Sequence, residues 1–152
     1  MPFSDDEQIP VEEKSKLKSA VLIVAGGLFV LSLFNFRFCT HNTCRTSLEA
    51  FLLGWLVMFA DAAGLSWLAN PFLIIAWILL SKNKKAAWIF GLLASAMSTM
   101  FLKFDTIIKN EAGQLNPIVK IEPGYWLWLG SCVTTFIGSL TIRIRNTMNK
   151  PN

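Results

Sequence analysis

Two groups of residues carry chemistry beyond packing. Cys39 and Cys44 bracket Thr40-His41-Asn42-Thr43, a spacing that suits a disulfide-closed loop or, with His41 added, three ligands of a metal site. In an oxidising compartment the disulfide is the expected form. Three ligands crowded into six residues, with no second cluster, make a weak zinc signature, so no metal is assigned. The second group is Asp61 with Asn70. Asp61 is the one ionisable residue between Ala50 and Leu80, and an acid at membrane depth is costly enough to suggest a proton or cation site. The plainer reading places Asp61 in a hydrated turn. Cys132, inside an apolar stretch, reads as a small packing residue.

Other reaction chemistries lack their parts. The chain has one His, no Ser-His-Asp set, no glycine-rich phosphate loop and no paired-carboxylate pattern, so acid–base, nucleophilic and metal catalysis have no recognisable centre. The expectation is a protein that is not an enzyme and needs no cofactor.

The elements that must position these groups are apolar helices. Of 152 residues, 53% are hydrophobic and 16% charged, and mean hydropathy is +0.48, too apolar for a typical water-soluble domain. Four apolar stretches, about 17–36, 65–80, 86–102 and 125–142, approach the roughly 20 residues a helix needs to cross a bilayer. The expected fold is all-α, a polytopic bundle of four transmembrane helices. The first stretch lacks a small-residue cleavage site, since Asn35-Phe36-Arg37-Phe38 is bulky, and reads as a retained helix. An acidic tail (residues 1–16) and a basic tail (143–152) flank the bundle.

Lys and Arg set the orientation. With a cytoplasmic N-terminus, nine basic residues (Lys14, Lys16, Lys18, Lys82, Lys84, Lys85, Arg143, Arg145, Lys150) fall inside and five (Arg37, Arg45, Lys103, Lys109, Lys120) outside. Both termini are therefore expected in the cytoplasm. The net charge of +4 then reports topology and attraction to lipid headgroups; no basic run with interleaved aromatics points to nucleic acid.

Residues 48–80 are too long for one crossing, since a continuous helix would reach about 50 Å against a hydrocarbon core of about 30 Å. A break near Asp61-Ala62-Ala63-Gly64 resolves this, with residues 47–60 forming an interfacial or re-entrant helix capped by Ser47 and carrying Glu49 in its first turn. Pro71 predicts a kink or irregular turn at Ala69-Asn70-Pro71, with Asn70 satisfying the freed backbone groups. The loop 103–124 carries turn signals at Glu111-Ala112-Gly113, Asn116-Pro117 and Pro123-Gly124, and Ile118-Val119-Lys120-Ile121 suits a short extended segment; Asp105 reads as a solvated or capping residue. Trp55, Trp67, Tyr125, Trp126 and Trp128 fall at the outer level and Trp88 at the inner one, as interfacial anchors do. Small residues at four-residue spacing (Gly26-Gly27, Gly91 with Ser95, Gly130 with Thr134 and Gly138) predict close helix packing.

The segments Gly54-Trp55-Leu56, Trp67-Leu68-Ala69-Asn70-Pro71 and Pro123-Gly124-Tyr125-Trp126-Leu127-Trp128-Leu129-Gly130-Ser131 resemble a group of small bacterial four-helix inner-membrane proteins. That resemblance covers the layout of residues 17–142, implies an inner-membrane setting and supplies no catalytic residues. The functional expectation is action by contact within the membrane, as an accessory subunit or an immunity-type protein. Its partners would be lipid and a membrane protein or a second copy. The alternative is a small oligomeric transporter or channel using Asp61.

Overall fold

The computed structural model describes residues 11–41, 43–59, 63–108 and 115–148. The sequence-based turns at Asp61 and Glu111-Ala112-Gly113, and the outermost parts of both tails, lie outside them. The first helix, α1, runs Val11–Leu33 and starts six residues before the expected span. Glu12 and Glu13 in its first turn favour the positive end of the helix dipole, and Glu12 pairs with Lys16 at 2.8 Å one turn on. It stops early because Asn35 folds back, its backbone N–H donating to Ser32 O and its side-chain amide to Leu31 O.

The expected all-α fold is corrected at this point. Phe36–Thr40 forms strand β1 and Cys44–Thr46 forms β2, and these join β3 (Thr106–Ile108) and β4 (Leu115–Ile121) in a four-stranded sheet ordered β2-β1-β4-β3. Every pairing is antiparallel. Strand β4 switches partner along its length: residues 115–117 pair with β3 and residues 118–121 with β1. Pro117, which has no N–H to donate, stands at that switch, which explains how a proline is tolerated in an inner strand.

Helix α2, Ser47–Val57, follows β2 directly. Thr46, not Ser47, is its cap: the Thr46 hydroxyl accepts from Glu49 N–H at 3.1 Å, and the Glu49 carboxylate pairs with Arg45. After a 3₁₀ turn at Gly64–Leu68 comes α3, Ala69–Ser81. The irregularity expected around Pro71 takes the form of that 3₁₀-to-α change, which leaves Pro71 in the first turn of α3, where a missing N–H costs little. Helix α4 (Ala87–Met100) continues as a 3₁₀ turn to Lys103, and α5 runs Pro123–Met148, opening on proline at its first position.

Three helical segments, Glu12–Leu33, Gly64–Ser81 and Pro123–Met148, are long and apolar enough to cross a membrane. The fourth apolar segment, Ala87–Lys103, is shorter, about 25 Å at 1.5 Å per residue. Most of α1 faces outward, with Ile23, Val24, Val30 and Leu31 exposed, as suits a lipid-facing helix.

The basic segments share one end of the bundle. Lys18 Nζ reaches Ser81 O and Asn83 Oδ1, Arg145 pairs with Glu13 at 3.1 Å, and Arg143 lies over the Trp88 ring. Asn83 turns the chain with a φ of 55°, a left-handed conformation that asparagine tolerates. The sheet covers the opposite end.

Close helix approach depends on some of the expected small residues. A Cβ on Gly91 would meet Phe136 Cα at 2.9 Å, and one on Gly138 would collide with the Val21 side chain. Ser131 donates to Ala25 O at 2.8 Å across α1 and α5. Gly26 and Gly27, in contrast, face open space; among the described residues nothing packs against them.

Candidate functional site, a buried arginine beneath the sheet

Strand β1 opens on Phe36-Arg37-Phe38, and strict alternation would send Arg37 to the opposite side from Phe38. Both are buried. The ladder with β2 shows why: Phe36 pairs with Thr46 and Phe38 with Arg45, so Arg37 is the extra residue of a β-bulge. A bulge re-aims its side chain, and this one turns a guanidinium down onto the helices. The Arg37 Cζ lies 4.1 Å from the centroid of Trp128 and 5.3 Å from that of Phe101. The residue is only 6% exposed.

Helix α5 supplies the floor. Tyr125, Trp128, Cys132, Thr135 and Ser139 recur at helical spacing and form its buried face. Tyr125 Oη donates to Ser98 O at 2.8 Å, and Trp128 Nε1 donates to Asn70 Oδ1 at 2.8 Å. These two bonds fasten α5 to α4 and α3. Phe101 stacks between Phe38 and Tyr125, with ring centroids 5.7 and 5.5 Å away.

The expected interfacial anchors therefore divide. Trp55 and Trp126 are half-exposed at the sheet end. Trp67 packs its ring against Gly54 and donates from Nε1 to Phe51 O at 2.9 Å, tying the 3₁₀ turn to α2. Tyr125 and Trp128 are interior residues, because both polar handles are taken up by the neighbouring helices. Asn70 is 2% exposed and serves Trp128 rather than the backbone freed by Pro71. Asp61, its suggested partner, lies outside the described residues.

Arg37 is the residue that sequence reasoning missed, counting it only as one outward positive charge. Burial pushes its pKa down to about 10, so it remains a cation at neutral pH. Among the described residues no carboxylate lies within 4.0 Å of it, and its Nε has no hydrogen-bond partner. The aromatic faces offset part of the desolvation cost. Beside it opens a cleft of about 320 Å³ between α2, the 3₁₀ turn and the sheet.

Cys39 and Cys44 face each other across β1 and β2, with Cα atoms 4.0 Å apart and sulfurs at disulfide distance. Their bridge closes the hairpin whose tip includes His41. No group of three metal-ligating side chains occurs among the described residues. In intact protein neither cysteine should react with a maleimide until a reductant is added, after which both should. The double Ser variant should lose about 2 kcal/mol of stability, the loop-closure value for so short a loop; equal alkylation before and after reduction would show that the pair is not bonded. Compared with protein-family models, curated proteins and solved structures, the chain shows no match.

Proposed function

We propose that this is a multi-pass inner-membrane protein, with four crossings and both termini in the cytoplasm, that acts without catalysis through contact with another membrane protein. It would serve as an accessory subunit or an immunity-type protein. The observation that carries this reading is the built outer end: a four-stranded sheet flanked by α2, which presents Leu48, Leu52, Trp55 and Leu56 outward. Exposed large apolar side chains next to an ordered polar cap suit a helix lying at the membrane surface against a partner. Positive charge gathered at the other end supports a cytoplasmic placement there.

A photo-crosslinking residue at Leu52 or Leu56, installed in native membranes, tests the contact. The expected result is a discrete adduct with one integral membrane protein that is missing when the crosslinker sits at Ile89 or Ile137, exposed on α4 and α5. Recovery of the chain alone, or equal adducts from all positions, would remove the contact reading. Tags on the two ends should be labelled only from the cytoplasmic side; labelling of opposite faces would remove the topology.

A further inference from the structure

We infer that the cleft beside Arg37 is a binding site for the phosphodiester headgroup of an anionic phospholipid, the acyl chains leaving along α2. The inference rests on the membrane placement proposed above but not on a protein partner. A guanidinium taken out of water needs an acceptor, and ring faces supply only part of what water gave. Arg37 is nine-tenths buried, lacks any ion pair among the described residues, and keeps an unpartnered Nε while lining an open cleft. A buried cation with a vacant Nε donor next to a cavity is the electrostatic complement of an oxyanion.

Charge and lining refine the ligand. Among the described residues Arg37, Arg45 and Glu49 are the charged ones lining the cleft; Glu49 is matched by Arg45, which leaves one positive charge in excess among them. The planar, always-protonated guanidinium recognises phosphate through paired N–H donors. The remaining wall is largely apolar, with Leu53, Leu56, Trp67 and Phe101 prominent. Leu53 and Leu56 are also exposed on α2, so the apolar wall continues onto the surface proposed to meet lipid. A small water-soluble anion has no use for that wall, whereas a lipid occupies both parts at once.

The test uses the full chain in detergent, with binding read by native mass spectrometry. The probes are dioctanoyl phosphatidylglycerol, dioctanoyl phosphatidylcholine and glycerol phosphate. The expected result is at least tenfold tighter binding of the phosphatidylglycerol than of either other probe, with that preference lost in Arg37→Gln. Ala50→Phe, which fills the cleft from α2 while leaving Arg37 in place, should lose it too. This second variant decides the matter if Arg37→Gln fails to fold. Equal binding of the two lipids, or an unchanged preference in Ala50→Phe, overturns the inference. Glycerol phosphate binding as tightly as the lipid overturns the lipid source in favour of a soluble anion. Crosslinking from Leu52 in native membranes reports separately on the partner proposal.

Discussion

Replacing Trp128 with alanine lowers the stability of the folded chain by about 3–5 kcal/mol, the range for truncating a large buried aromatic. Three losses coincide in this one substitution. The cavity removes dispersion contacts with Tyr125, whose ring centroid is 5.8 Å away. Asn70 Oδ1 loses its donor while its Nδ2 already lacks an acceptor, which leaves a buried amide with nothing to bond among the described residues. Arg37 loses the nearer of its two ring faces. Between helices in lipid the transfer free energy is small, so packing and polar satisfaction carry the effect. Denaturant titration of purified protein in detergent measures it, with Trp126→Ala, a half-exposed neighbour, changing stability by less than about 0.5 kcal/mol. Equal effects at the two positions would contradict the interior placement of Trp128.

Gly91→Val is expected to cost about 1–3 kcal/mol or more, the usual consequence of overpacking a tight interface. Its new Cβ would stand 2.9 Å from Phe136 Cα and 3.1 Å from Phe136 N. Backbone cannot swing aside as a side-chain tip does, so α4 and α5 must separate along their whole contact. Gly26→Ala is the informative contrast: nothing lies within 4 Å of that site, and the higher helix propensity of alanine should stabilise by as much as about 1 kcal/mol. Loss of stability in Gly26→Ala would mean that α1 has an additional neighbour at that face.

Much of the scaffold can be read from the chain alone because hydropathy over twenty residues is a strong signal. The long apolar segments of α1 and α5 and the cysteine pair follow from residue type and spacing. The sheet does not, for a physical reason. Its strands span three to seven residues, too short for alternation to show, and Pro117 argues locally against one of them. Arg37 is hidden for a related reason: a bulge is a property of two paired strands, so nothing in Phe36-Arg37-Phe38 by itself says that consecutive side chains turn inward. Trp128 was legible in principle. Tyr125, Trp128, Cys132, Thr135 and Ser139 recur at three- and four-residue intervals, the mark of a buried helical face, but aromatics near a helix end are so often surface anchors that this periodicity is masked. Ser47 and Thr46 show the usual uncertainty of one residue in placing a helix start.

Pairing of β1 with β4 joins Cys39 to Lys120, so the ribosome makes one edge about 80 residues before the other. At roughly 5–20 residues per second, the first hairpin waits about 4–16 s for its mate. Throughout that interval α2, α3 and α4 are also made. The sheet over Arg37 is complete only when β4 is made, and its floor only when α5 follows, which makes this end of the bundle a checkpoint on complete biogenesis: a nascent product arrested before β4 presents an open strand edge and an uncovered cation.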